Sequence, residues 1–329
     1  MNLERALLAA AFVALSVLPV ACGEGSAPPA SSPLPVETLA PTNLLVPPSG
    51  SIYLGVFVNP NQEQPPPLTL LSDFEVSIGR RLSLATHYYG FYDSFPGQYE
   101  INDVANGRIP IESWDCGTAN AAIAQGNQDN VIRERADAIK AFGSPMFLRF
   151  MWEMNLPSSP KFRSICYDPK TDLPNGVFSP ENFIAAWDRI RTIFAREGVT
   201  NVVWLWNPSG ASNPLAYYPG ASETDWVGFD RYDDGNVPMY QTFKQSYGWL
   251  QPLGKPILVG ETGATVQEQP DFFANAVATL SGNFPQIKGL NYFDSINVYA
   301  TIYSWVIPSA TLSDFAAMAN ESYFSATEP

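Results

Sequence analysis

The sequence predicts an α/β fold, a (β/α)8 TIM barrel, on three observations. Eight short apolar runs alternate with helical patterns between residue 51 and the C-terminus, the size and rhythm of such a barrel. The runs are near-continuously hydrophobic, as strands covered on both faces are. No Gly-rich phosphate loop follows the first run, which counts against an open doubly wound sheet, the main alternative.

In chain order the first four strand candidates are SIYLGVFVN (51–59), RLSLATHYYG (81–90), IPIESWDC (109–116) and SPMFLRFMWEMN (144–155). Four more follow: TNVVWLWNPS (200–209), DWVGFDRYDD (225–234), KPILVGETG (255–263) and IKGLNYFDS (287–295). The clearest intervening helix is SPENFIAAWDRIRTIFAREG, with Ser179 as N-cap, Pro180 at the first helical position and Gly198 as the stop. Its Phe183, Ile184, Trp187, Ile190 and Phe194 share one face. Further helices are expected over 128–143, 239–253, 271–281 and 311–324.

Ahead of the barrel, Arg5 and the apolar run from Ala6 to Val20 read as an export signal over residues 1–22. The run is too short for a confident membrane span. Pro19-Val20-Ala21-Cys22 is similar to a lipobox, so two outcomes are open: lipidation and membrane anchoring at Cys22, or ordinary cleavage nearby. Residues 23–50 are rich in Pro, Ser and Ala and read as a tether, leaving 51–329 as the barrel. An exported chain expects Cys116 and Cys166 to pair as a disulfide, with two buried thiols as the alternative.

The formal net charge of −14 opposes nucleic acid or an acidic polymer as a partner. With His87 as the one histidine, zinc and di-metal sites are not expected. Neither metal nor organic cofactor is required by the chemistry below. A monomer acting on a neutral polymer is the expectation.

In a TIM barrel, function gathers where strands end at their C-terminal face. There the fourth strand offers Glu153 and the seventh Glu261. Paired carboxylates across a barrel mouth suit retaining glycoside hydrolysis, one as acid/base and one as nucleophile. Met151, Trp152 and Met154 offer Glu153 an apolar setting that would help it keep a proton. Arg149 lies on the same side of the strand and is expected to position or ionise a carboxylate from the neighbouring strands. Tyr232 is expected to hydrogen-bond Glu261. Of Trp204 and Trp206, one is expected to fill the core; Trp206, nearer the strand end, is read as the sugar-stacking ring, with core packing as its alternative. His87, at the end of the second strand, is read equally as structural or as a substrate contact.

The stretches LRFMWEMN, WLWNPSG followed by YYPG, DWVGFDRYD and KPILVGETG occur in this order. From about residue 51 the chain therefore resembles glycoside hydrolase family 26, the barrel family of β-mannanases with relatives acting on mixed-linkage β-glucan or β-1,3-xylan. The resemblance implies a neutral β-linked polysaccharide as substrate, Glu153 as acid/base, Glu261 as nucleophile and Tyr232 beside it. Trp152 stands where the family usually has a histidine, which bears on subsite preference. The tryptophan usual after the eighth strand has Tyr292 or Trp305 as its counterpart here. A polysaccharide-binding barrel without catalysis, or a transglycosylase of surface glycan, are the alternative readings.

Overall fold

Eight parallel strands close into one barrel in sequence order. They are β1 (Tyr53–Asn59), β2 (Leu84–Tyr89), β3 (Ile109–Trp114), β4 (Met146–Phe150), β5 (Val202–Trp206), β6 (Trp226–Asp230), β7 (Ile257–Thr262) and β8 (Ile287–Ser295). Each lies inside its predicted run. The computed structural model describes residues 45–159, 162–233, 235–296 and 304–327. These all belong to one compact unit, Thr38–Pro329. The expected signal over 1–22, the lipidation at Cys22 and most of the tether lie outside the described residues. Packing reaches back to Leu45, buried beside the strand interior, so the core starts earlier than residue 51.

The helices among the described residues are α1 (Leu70–Ile78), α2 (Gln98–Ala105), α3 (Asn120–Ala124), α4 (Asp129–Phe142), α5 (Pro180–Glu197), α6 (Met239–Leu250), α7 (Gln269–Ala274), α8 (Ala276–Asn283) and α9 (Leu312–Ala319). The stretch expected as one helix over 271–281 is two, broken at Asn275. The α5 ends obey their signals. Ser179 Oγ accepts from the Asn182 amide at 3.2 Å, satisfying one of the four orphan N–H groups. Gly198 closes the helix at φ 72°, where a side chain would be strained.

Strand parity divides the side chains between two cores. Leu84, Ile109, Ile111, Phe147, Val203, Leu205, Trp226 and Leu258 form one apolar cluster, with Tyr53. Met146, Leu148, Phe150, Val202, Trp204, Trp206, Val227, Phe229, Ile257 and Val259 pack in the other, with the helices. The first set faces the barrel axis. On β4 that puts Arg149 inside, two residues beyond Phe147.

The same parity overturns the expectation for β5. Trp204 and Trp206 are two residues apart and therefore share a face, the one toward the helices. Trp204 packs on Trp187 and Phe194 of α5, with ring centroids 5.7 and 5.1 Å away. Trp206 has no exposed surface and packs against Tyr218 at 5.0 Å. It is a core residue, not a sugar platform.

Candidate active site

Glu261 is placed by a defect in the sheet. Leu258 and Gly260 face the barrel interior, so strict alternation would turn Glu261 outward. Instead β6 and β7 shift register: Phe229 pairs with Val259, and Asp230 with Glu261. A bulge of this kind adds a residue and re-aims the next side chain. Gly260 permits it, since a Cβ there would lie 2.1 Å from Asn207 Oδ1 and 2.7 Å from Asp230 Oδ1.

The Glu261 carboxylate is then gripped from three directions. Arg149 Nη2 donates to Oε1 at 2.6 Å, and Tyr88 Oη donates to the same oxygen at 2.9 Å. Tyr232 Oη donates to Oε2 at 2.5 Å. Arg149 has no exposed surface and reaches two other interior groups: Nε donates to Ser113 Oγ at 2.7 Å and Nη1 lies 3.3 Å from Asp230 Oδ1. Burial opposes its charge, but Glu261 and Asp230 outweigh that and hold the guanidinium protonated. Charge-assisted hydrogen bonds of this sort are short and orienting. Arg149 thus reaches across the barrel to β6 and β7, rather than to carboxylates on neighbouring strands, and its burial makes it a positioner rather than a substrate contact.

Asp230 is buried and its carboxyl is held well above the ordinary range, first by burial and then by the charge of Glu261. Asn207 Nδ2 donates to it at 2.8 Å. It backs the arrangement from below.

Glu153 is placed differently from the expected strand end. β4 stops at Phe150, and Met151 and Glu153 adopt φ 46° and 55°. Left-handed backbone costs about 1–2 kcal/mol for such residues and persists only where neighbours dictate it. Here they do. The Met151 amide donates to Trp114 O on β3, and the Glu153 amide to Asn207 O beyond β5, both at 2.8 Å. Asn155 bonds the Ser209 backbone in both directions, at 2.9 and 2.8 Å. Met151 and Met154 are wholly buried anchors.

The loop therefore ties the Glu153 backbone to the strands on either side of β4. Burial, then the charge of Glu261, pushes the Glu153 carboxyl up to about 7, against opposing pulls from Arg163 and Arg149. One carboxyl tends to keep its proton while the other is held by three donors. That is the division of labour double displacement at a sugar carbon needs.

Around them lie aromatic rings. Tyr88 meets Trp152 edge-on at 5.3 Å, and Phe57 stacks on Phe293 at 5.1 Å. Trp305 lies flat on Tyr232 at 5.0 Å with 2% of its surface exposed, so it braces that tyrosine more than it offers a free face. Tyr292 faces the helices and donates to the Trp305 carbonyl at 2.9 Å. Of the two, Trp305 is the one beside the site.

His87 faces α2. Its Nε2 lies 2.5 Å from Asp103 Oδ2, and Asp103 also accepts from Arg108 at 2.9 Å. His87 still lines a hollow of about 300 Å³ with Phe57, Asn59, Tyr88, Tyr89 and Tyr99, of which Tyr88 bonds Glu261. Sequence reasoning gave no role to Tyr88, Asp230, Ser113 or Phe57. The signal for Tyr88 and Ser113 was parity, since both follow interior apolar residues in steps of two.

Cys116 and Cys166 form the expected disulfide. Asp115 lies beside them, but bonded sulfurs are not metal ligands. Among the described residues no helix is long and apolar enough to cross a membrane.

Three solved structures overlay most of this barrel. A mannanase from Bacillus subtilis is 16% identical with a TM-score of 0.60, covering 84% of this chain and 86% of its own. A GH26 β-mannanase from Bacteroides ovatus is also 16% identical, with a TM-score of 0.61 and coverage of 83% and 90%. An endo-β-1,4-mannanase from Cellulomonas fimi gives 16% and 0.59, with coverage of 84% and 72%. The fold is GH26 β-mannanase-like. In sequence, the GH26-like barrel is 27% identical over 212 residues to Endoglucanase H of Acetivibrio thermocellus. That match takes in 60% of this chain and 23% of the relative, so the chain spans about a quarter of its length. No family model matches the chain.

Proposed function

We propose that the protein is a retaining endo-β-glycanase that hydrolyses β-1,4-mannan or a related neutral β-glucan. The observation that carries this reading is the contrast between Glu153, pushed up to about 7, and Glu261, gripped by Arg149, Tyr88 and Tyr232. Glu261 attacks the anomeric carbon as Glu153 passes its proton to the departing glycosidic oxygen. The C–O bond to the leaving sugar breaks and a glycosyl ester to Glu261 forms. Glu153, now ionised, takes a proton from water, which cleaves the ester with the original anomeric configuration restored.

The mannanases of like fold and the similarity to Endoglucanase H support the substrate class. Trp152 is half-exposed at the site edge and offers a ring to a sugar's C–H face. The N-terminal sequence supports export, with Cys22 as the residue that lipid would modify; mass analysis of the mature N-terminus would decide that point.

The test is a panel of mannan, lichenan and xylan, followed by product analysis for new reducing ends. Binding without product in every case would sink the enzymatic reading. Glu261→Ala should abolish turnover, and azide should partly restore it as a glycosyl azide of inverted configuration. Unchanged hydrolysis in that variant would remove Glu261 from its role.

A further inference from the structure

The proton donor is held by a residue that lies far outside the strand ends. Arg163 sits in the loop between β4 and α5, in left-handed backbone at φ 52°, with its side chain 1% exposed. Its Nη1 donates to the carbonyl oxygen of Trp152, the peptide that leads into Glu153. Its guanidinium also lies 4.5 Å from the centre of the Trp152 ring. Nε donates to Asp115 Oδ1 at 2.6 Å.

Asp115 and Arg163 each neighbour a cysteine of the bridge. Cys116 follows Asp115 directly. Cys166 ends a single 3-10 turn that begins after Arg163, and its amide donates to the Arg163 carbonyl at 3.0 Å. The bridge joins points 50 residues apart. Without it, Asp115, which is 30% exposed, would hold the loop by a partly solvated ion pair, and such pairs hold weakly. The loop would keep its arginine near Trp152 only part of the time.

We propose that Arg163, clamped by Asp115 and by the Cys116–Cys166 bridge, is a positioning residue that fixes the Trp152–Glu153 peptide for proton donation. The inference rests on reading Glu153 as the proton donor. The clamp bears on the Glu261 half of the site only indirectly: Arg149, Tyr88 and Tyr232 are set on β4, β2 and the end of β6, and Tyr88 and Arg149 meet the clamped loop through the Trp152 ring. Reduction of the bridge should therefore impair protonation of the leaving group more than attack on the anomeric carbon.

Two aryl β-glycosides of the same sugar separate these effects. Departure of 2,4-dinitrophenolate needs no proton, whereas departure of an alkyl or unactivated aryl group does. Arg163→Gln should lower kcat/KM on the poor leaving group by about 100-fold, the scale of general acid assistance, with a much smaller loss on the activated one. Asp115→Asn, the double variant Cys116→Ser/Cys166→Ser, and wild type treated with dithiothreitol should show the same split. Arg163→Lys should recover part of it. Equal losses on both substrates would overturn the inference and mark a merely structural loop.

A second measurement is independent of turnover. The charges that act on the Glu153 carboxyl are Glu261, Arg163 and Arg149, and Arg163 pulls it down. In Arg163→Gln, the Glu153 resonance in a 13C-carboxyl titration should therefore move to higher pH. An unmoved titration overturns the positioning role. A wild type that cleaves neither glycoside, with a titration that does move, overturns the enzymatic reading instead.

Discussion

Arg149 on β4 joins Glu261 on β7 across the width of the barrel, with Nη2 2.6 Å from Oε1 and neither side chain more than 7% exposed. One cation there serves two carboxylates, since Asp230 lies 3.3 Å from Nη1. Removing it leaves two acidic groups facing each other in a dry interior. Arg149→Met should cost about 3–5 kcal/mol of stability, the usual result of stripping one partner from a buried charge set. Denaturant unfolding at pH 7 measures this, and loss of turnover should accompany it. A variant as stable as wild type would show that the cluster is solvated.

Tyr88 and Tyr232 each donate to one oxygen of Glu261. A hydrogen bond to a charged group contributes about 1.5–3 kcal/mol. Tyr88→Phe and Tyr232→Phe should each lower kcat by about 10- to 100-fold and the melting temperature by a few degrees, with the packing of each ring retained. In Tyr232→Phe the stack on Trp305 survives. A kcat within experimental error of wild type in both would mean that Arg149 alone orients the carboxylate.

The pH profile should carry an alkaline limb near 7. Glu153 is pushed up to about 7 and donates only while protonated, so kcat/KM falls as pH rises through that value. A substrate with a poor leaving group makes the limb visible. Full activity sustained beyond pH 9 would exclude Glu153 as the acid.

Glu112 on β3 predicts an effect on stability alone. It is wholly buried on the helix side, and its carboxyl is held well above the ordinary range by burial and then by Glu100 and Asp103. The folded chain therefore keeps this proton where the unfolded chain has lost it. Its contribution is greatest at low pH and is lost as pH rises above the unfolded value of about 4.5. Asp294, pushed up to about 7 by burial, acts in the same sense. Glu112→Gln should raise the melting temperature at pH 8 and do little at pH 4. The opposite ordering would imply an ionised Glu112.

Trp152 and Trp206 give opposite outcomes on binding. Trp206→Phe should lower stability by about 1–3 kcal/mol through lost packing and leave KM alone. Trp152→Ala should raise KM by up to about tenfold, the scale of one aromatic contact. Polysaccharide kinetics on both variants check this, and a reversed pattern would return Trp206 to the cleft.

Most of the barrel was legible because its determinants are local. Apolar runs, an N-cap at Ser179 and a stop at Gly198 act over a few residues. They place the strands and α5 without reference to anything distant. The Cys116–Cys166 bridge was expected from the export reading of the N-terminus rather than from any local signal. The breaks after Phe150 and at Asn275 were not legible, since both depend on what the backbone meets. Met151 and Glu153 turn left-handed because Trp114 O and Asn207 O wait for their amides.

By itself the sequence determined the α/β barrel, the strand order and which two glutamates stand near its mouth. Tertiary structure alone decided where those side chains point. A bulge at Gly260 turns Glu261 inward against the strand's own alternation. Closure of the barrel brings β4 opposite β7, so Arg149 meets a partner 112 residues away. Side-chain direction on a strand flips with every residue, so one inserted residue decides between core and cleft. That residue's effect is visible only when the neighbouring strand is in place.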